Sequence, residues 1–133
     1  MKELYYLNKN ELPPLPYIHD CVIKEIELID EYLIFKFEDD ISDHDSILNK
    51  NYKSLIIKYH LIENLFVYKS KRLFNKEFYH LLKDNKINKL KDLDYLYQYV
   101  DFYSLIIKIV RGRDYYIFDL DVDYIEYEWI EGD

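Results

Sequence analysis

The sequence predicts an α+β fold that is mainly β: an antiparallel sheet, or a partly closed barrel, of six to eight hairpin-linked strands with one helix at about residues 75–85. Apolar and polar residues alternate along most of the chain, which is typical of strands with one buried face. Short connections rich in Asp, Asn or Gly separate the alternating runs, as in sequential hairpins. The repeated helical crossovers that a parallel sheet requires are absent from this pattern.

The longest alternating run, Tyr103–Trp129, predicts two strands joined by a turn at Gly112. Glycine adopts the positive φ that tight hairpins need. Between Val122 and Tyr124 the apolar phase changes by one residue, which indicates a β-bulge or a new turn. The run therefore predicts a sheet with one apolar face and one face that carries carboxylates.

Earlier segments are predicted by the same argument. Lys2–Leu7 is expected to be an edge strand or an arm, and the proline-rich Leu12–Pro16 an extended connector. Asn64 is expected to turn the chain between two strands. The runs with alternating apolar residues are Cys21–Leu28, Tyr32–Glu38, Tyr52–Ile62, Leu65–Lys71 and residues 95–100.

The predicted helix extends from Asn75 to about Asn85. Asn75 can cap its first turn, and Glu77 lies where the helix dipole favours an acid. Phe78 and Leu81 belong to an apolar stripe at helical spacing.

Length and composition predict a single domain over residues 1–133. Cys21 is the only cysteine, which excludes an internal disulfide and a zinc site built from several cysteines. The chain lacks the apolar run of a signal peptide or a membrane span. We therefore expect a cytoplasmic protein with no membrane partner.

Acidic residues outnumber basic ones by 26 to 18, which gives a formal net charge of -8. Nucleic-acid binding depends largely on neutralising phosphates with Lys and Arg, so this balance argues against nucleic acid as a partner. A basic protein is the better match.

The residues typical of catalysis do not form a recognisable set. Cys21 follows His19 and Asp20, but neighbours in an extended chain point in opposite directions, so a buried structural cysteine is expected instead. His60 and His80 are isolated in the sequence. Without a glycine-rich phosphate loop as well, we expect no catalytic residues, no cofactor and no enzymatic activity.

Two acidic segments are the candidate binding residues. The first is a loop with Asp39, Asp40, Asp43 and Asp45; it lacks the glycine and final Glu of a calcium loop, so no metal site is assigned. The second is an acidic row on the last strand: Asp119, Asp121 and Asp123, continued by Glu126 and Glu128. Carboxylates at this spacing repel one another. A solvated surface, a bound cation and a basic protein surface are the three explanations for each segment.

The motif His19-Asp20-Cys21, followed by the hairpin sequence VIKEIELIDEYLIFKFEDD, is similar to the start of small uncharacterised bacterial single-domain proteins. Some of those proteins resemble immunity proteins of polymorphic toxin systems. The favoured hypothesis is therefore a non-enzymatic binding protein, an immunity-type inhibitor that caps a basic toxin with its acidic strand face and its Asp39–Asp45 loop. The alternative is a small-molecule or metal-binding β domain, with its ligand in a barrel mouth or between sheet and helix.

Overall fold

A computed structural model describes residues 1–73 and 76–132 of the chain. The prediction of an antiparallel, mainly β fold is confirmed. The helical segments of the described chain are one turn of 3-10 helix, Ile41–Asp43, and a short helix α1, Asp84–Ile87; no helix there is long and apolar enough to cross a membrane. The strands are β1 Lys2–Tyr6, β2 Val22–Ile29, β3 Tyr32–Phe37, β4 Tyr52–Leu73, β5 Lys76–Leu81, β6 Leu93–Asp101, β7 Ser104–Arg111 and β8 Asp114–Glu131.

Six of the eight strands in the described residues form a closed ring. The strand order is β1-β8-β7-β6-β2-β3-β4-β5, and β4 also pairs with β8, which closes the six strands from β8 to β4 into the ring. The ring is closed by unequal seams: β4 and β8 pair along most of their length, whereas β2 and β6 share two residue pairs, Val22 with Asp94 and Ile23 with Leu93. The short strands β1 and β5 extend the sheet beside β8 and β4.

Buried and half-buried side chains alternate along β8, and this alternation shows which face of the strand points into the ring. Phe118 and Leu120 are buried inside the ring, and after Asp123 the buried set changes phase to Ile125 and Tyr127. The register on β4 changes at the same point, since His60 faces Tyr124 while Leu61 faces Val122. The predicted bulge is therefore confirmed at Asp123. Gly112 has a φ of 61°, as its predicted turn requires.

The core fills the ring with side chains from every ring strand. Phe35 on β3 is fully buried, and its ring lies edge-to-face with those of Tyr59 and Phe118 at 5.2 and 5.4 Å. Ile41 and Ile47 from the β3–β4 loop are also buried and close one end. This loop is consequently anchored to the core by apolar contacts.

The prediction of two strands within residues 52–71 is wrong. β4 is one strand of 22 residues with an irregularity between Leu61 and Leu65, where its register with β8 shifts. Asn64 does not have a positive φ. Its backbone N–H donates instead to the Asp121 carboxylate at 3.3 Å, so β8 holds the chain through a bend.

The prediction of a helix from Asn75 to about Asn85 is also wrong. Residues 76–81 form β5, which pairs antiparallel with residues 68–73 of β4, and helix α1 begins only at Asp84. Phe78 and Leu81 are 51 % and 55 % exposed, so the apolar stripe has no surface to pack against. Backbone pairing with the extended β4 outweighs local helix propensity. Asn75, the predicted cap, lies outside the described residues.

Candidate functional site

The acidic row on β8 lies on the outer face of the ring. The residues between its first members, such as Phe118 and Leu120, point into the ring. Because the bulge absorbs the phase change, the carboxylates stay on the outer side along the whole strand. The half-buried members are Asp119, Asp121, Asp123, Glu126 and Glu128.

Lysines lie next to the acids of the carboxyl half of the row, which is Glu126 and Glu128. Glu126 Oε2 lies 4.0 Å from Lys58 Nζ on β4. Glu128 faces Lys2 across the pairing of β1 with β8. Each of these two acids therefore has a lysine on a neighbouring strand, and Glu126 has it within ion-pair distance.

The amino half of the row, which is Asp119 and Asp121, has neighbours of a different kind. Asp119 lies directly between Ile106 on β7 and Phe66 on β4, both partly exposed. Asp121 faces Ser104 on β7. Within residues 1–73 and 76–132, neither carboxylate takes part in an ion pair. The negative charge of this half is therefore concentrated next to apolar surface.

Asp123, at the bulge, is paired with a histidine that the sequence analysis treats as isolated. His60 Nδ1 lies 2.6 Å from Asp123 Oδ1, and His60 Nε2 lies 3.5 Å from Glu31 Oε1. The imidazole also stacks on the Tyr124 ring at 4.7 Å. Burial lowers the pKa of His60, but the hydrogen bond and charge of Asp123, joined by those of Glu31, outweigh it and raise the pKa.

The raised pKa of His60 predicts a pH dependence of stability. A folded pKa above the unfolded value of about 6.5 means that the stabilisation is fully present below that pH and is lost as the pH rises through the folded pKa. We expect the free energy of unfolding, measured with urea, to fall as the pH rises from below about 6.5 through the folded pKa of His60, and to fall by more in the native protein than in His60→Gln. Equal pH slopes in both proteins would contradict the pairing.

A cleft of about 520 Å³ opens beside the row, between the β2–β3 turn and the bend in β4. Its described lining contains four exposed carboxylates and no Lys, Arg or His; the acids are Asp30, Glu31, Glu63 and Asp84. The bond from Asn64 N–H to Asp121 joins this cleft to the row. The acidic surface therefore extends beyond β8 and includes the cleft.

Aromatic residues continue the surface on its other side. Tyr99 on β6 faces Ile106, which in turn faces Asp119, and Tyr99 is 65 % exposed. Tyr97 faces Lys108, whose ammonium lies 5.8 Å from the Tyr97 ring centroid and 4.6 Å from that of Tyr115. The outer sheet face thus joins tyrosines to the uncompensated carboxylates.

The Asp39–Asp45 loop lies at the other end of the ring. Ser54 Oγ donates to the Phe37 carbonyl, and Lys53 Nζ donates to Ser42 Oγ at 3.3 Å, which places the loop at the start of β4. From Tyr52 to Leu61, where β4 reaches the bulge, the strand advances roughly 30 Å. The structure therefore does not bring the loop acids, Asp39, Asp40, Asp43 and Asp45, together with the cleft.

Cys21 is buried, as expected, and burial raises the pKa of its thiol to about 11. The geometry of the two preceding residues, His19 and Asp20, differs from the expected extended chain. Asp20 has a φ of 69°, which breaks the extended geometry and brings its carboxylate to 3.3 Å from His19 Nε2. Since this pKa keeps the thiol protonated, and its hydrogen-bond partner is Ser46 Oγ at 3.9 Å, the three residues do not form an activated nucleophile.

Metal ligation is not supported by the described part of the chain, where no group of three or more His, Cys, Asp or Glu side chains is arranged to hold an ion. Comparisons with protein-family models, with curated proteins and with solved structures found no match to this chain. The assignment of function therefore depends on the geometry of the acidic surface.

The cleft is not predictable from sequence because its acids come from distant segments. Asp30 and Glu31 belong to the β2–β3 turn, Glu63 to the bend of β4, and Asp84 to the start of α1. The available signal was the short gap between the predicted strands Cys21–Leu28 and Tyr32–Glu38, which places the two carboxylates Asp30 and Glu31 at a hairpin end. Their proximity to Glu63 follows only from the continuous course of β4.

Proposed function

We propose that the protein is a non-enzymatic binding protein whose partner is a basic protein. The partner docks on the outer face where the amino half of the acidic row, the cleft and the tyrosines of β6 meet. The observation that carries this proposal is the cleft beside Asp121, which is lined by four carboxylates and by no described Lys, Arg or His; one of the four, Glu31, also lies 3.5 Å from His60 Nε2.

Electrostatics favour a basic partner at this place. A concave surface lined by one sign of charge focuses the field and attracts opposite charge from solution. The cleft is wide enough for Lys or Arg side chains of a partner, which would relieve the repulsion among its carboxylates. Complementary charge then accelerates association and fixes the orientation of the complex.

The neighbouring apolar surface provides contact area. Ile106 and Phe66 flank Asp119, Tyr99 faces Ile106 from the next strand, and all three are partly exposed. Protein interfaces are enriched in aromatic residues, and a few such anchors contribute most of the binding free energy. Charge on one side and tyrosines on the other are the arrangement expected of a specific protein contact.

The specific class that we propose is an immunity-type inhibitor of a basic toxin. The likeness of the His19–Asp40 segment to small bacterial proteins, some immunity-like, supports this class. The acidic cleft supports it independently, because an inhibitor of a basic toxin must neutralise cationic surface when it covers the toxin.

The test is affinity capture from a lysate of the organism that encodes the chain, at low and at raised salt. We expect the native protein to retain one basic protein at low salt and to release it as the salt is raised. Asp119→Asn/Asp121→Asn should lose this protein, whereas the control Asp43→Asn/Asp45→Asn, with the same change of net charge, should keep it. The proposal fails if the native protein retains no basic protein, or if both variants bind as the native protein does.

A further inference from the structure

A cleft on another part of the molecule has the opposite charge to the acidic surface. It measures about 740 Å³ and lies where the turn between β7 and β8 meets the paired end of β4 and β5. Four basic side chains line it: Lys69, Lys71, His80 and Arg113. It shares no described lining residue with the acidic cleft, and we call it the basic cleft. In a chain whose net charge is -8, this grouping is the reverse of the overall balance.

The sheet brings these basic groups together from three segments. His80 on β5 lies directly opposite Lys69 on β4. Lys71 is two residues farther along β4 and therefore lies on the same face. Arg113 belongs to the turn at Gly112, whose φ of 61° allows the tight reversal of the chain. Since like charges gathered on a sheet repel one another, an anion in the cleft would be stabilising.

Two acids also line the basic cleft, and one of them is already paired. Asp114 Oδ2 lies 3.8 Å from Lys69 Nζ, so these two charges offset each other. The Tyr116 ring, with its centroid 5.9 Å from the ammonium, holds Lys69 further. Glu77 is the second acid, and it accepts a hydrogen bond from the Tyr79 hydroxyl at 3.2 Å. A single carboxylate therefore stands against the other basic groups of the cleft.

Those other basic groups have no acidic partner. Among residues 1–73 and 76–132, Lys71, His80 and Arg113 take part in no ion pair, and all three side chains are exposed. The Tyr115 N–H donates to Ser70 Oγ at 2.9 Å, which joins β8 to β4 and holds two walls of the cleft together. The three basic groups are therefore available to a ligand between walls that are fixed in place.

We propose that the basic cleft binds a phosphate group, free or carried by a small molecule, through Lys71, His80 and Arg113. The planar guanidinium of Arg113 matches two phosphate oxygens, and the Lys71 ammonium and the His80 imidazole donate to the others. Small-molecule sites measure about 300–1,000 Å³, so the cleft has room for the rest of a ligand beside its phosphate. This site is distinct from the proposed partner surface, and neither proposal depends on the other.

The probes are phenyl phosphate, phenol and inorganic phosphate, each added at an ionic strength kept constant with sodium chloride. Isotope-labelled glycine gives two amide resonances, because Gly112 and Gly132 are the two glycines of the chain. Gly112 lines the basic cleft, whereas Gly132 follows the far end of β8 and serves as the internal control. We expect phenyl phosphate to shift the Gly112 resonance saturably and to leave that of Gly132 in place. Phenol, which has the ring without the phosphate, should shift neither.

Two matched variants assign the binding to the cleft. Lys71→Gln/Arg113→Gln changes two exposed side chains and should weaken the binding of phenyl phosphate by about tenfold or more, since hydrogen bonds to charged groups contribute at least that factor. The control Lys24→Gln/Lys86→Gln removes the same formal charge from exposed positions outside the cleft lining, and it should bind as the native protein does.

Inorganic phosphate distinguishes the two sources of the group. Binding as tight as that of phenyl phosphate assigns the site to free phosphate, and weaker binding assigns it to a phosphate ester. The inference is overturned if phenyl phosphate gives no saturable shift of Gly112, or if phenol shifts this resonance as strongly. It is also overturned if the control variant loses as much affinity as the cleft variant.

Discussion

Replacing Phe35 by Ala is expected to lower the free energy of unfolding by about 3–5 kcal/mol. Phe35 is fully buried, and its ring makes edge-to-face contacts with Tyr59 and Phe118 from the two longest strands. Removing it loses both contacts and leaves a cavity that the closed ring cannot collapse to fill. Urea unfolding followed by circular dichroism measures the change.

The matched control is Phe66→Ala, which removes the same ring from the outer face of β4. Phe66 is 38 % exposed, and its loss is expected to cost about 1 kcal/mol or less. If Phe35→Ala costs no more than Phe66→Ala, the assignment of inside and outside along β3 and β4 is wrong.

Neutralising three carboxylates of the cleft is expected to slow association with the captured partner by about tenfold or more at low salt. The variant is Asp30→Asn/Glu63→Gln/Asp84→Asn. Its substitutions keep side-chain size, and Asn tolerates the positive φ of Asp30. The association rate of the variant should also depend less on salt, because fewer charges attract the partner.

The control variant Asp39→Asn/Asp43→Asn/Asp45→Asn removes the same formal charge from the loop at the other end of the ring. Its association rate should fall much less than that of the cleft variant. Equal slowing of the two variants would mean that only net charge matters, and slowing of the loop variant alone would assign the contact to the loop.

Much of the fold follows from the alternation of side chains. The β2–β3 hairpin, the turn at Gly112 and the bulge at Asp123 depend on neighbours in sequence, and all three were predictable. The strand at residues 76–81 was not predictable, because the apolar residues there have helical spacing. Backbone pairing with β4, which the local sequence does not reveal, makes the segment a strand instead. Closure of the ring depends on the long-range pairing of β4 with β8.

The candidate site was predictable only in part. Asp119 and Asp121 share a face because of strand geometry alone, so the row could be derived from their spacing. The pairing of Asp123 with His60, and the meeting of Asp30, Glu63 and Asp84, require tertiary contacts between segments far apart in sequence. The sequence therefore identified one strand of a surface that several elements build.

The most direct test of the central claim is hydrogen–deuterium exchange of the protein alone and in complex with the partner that it captures. We expect the partner to slow exchange in residues 28–31, 61–66 and 101–106, which border the cleft and the amino half of the row. Residues 39–51 should exchange alike in both states. Slowing confined to residues 39–51, or found only in segments away from the cleft, would contradict the proposed binding surface.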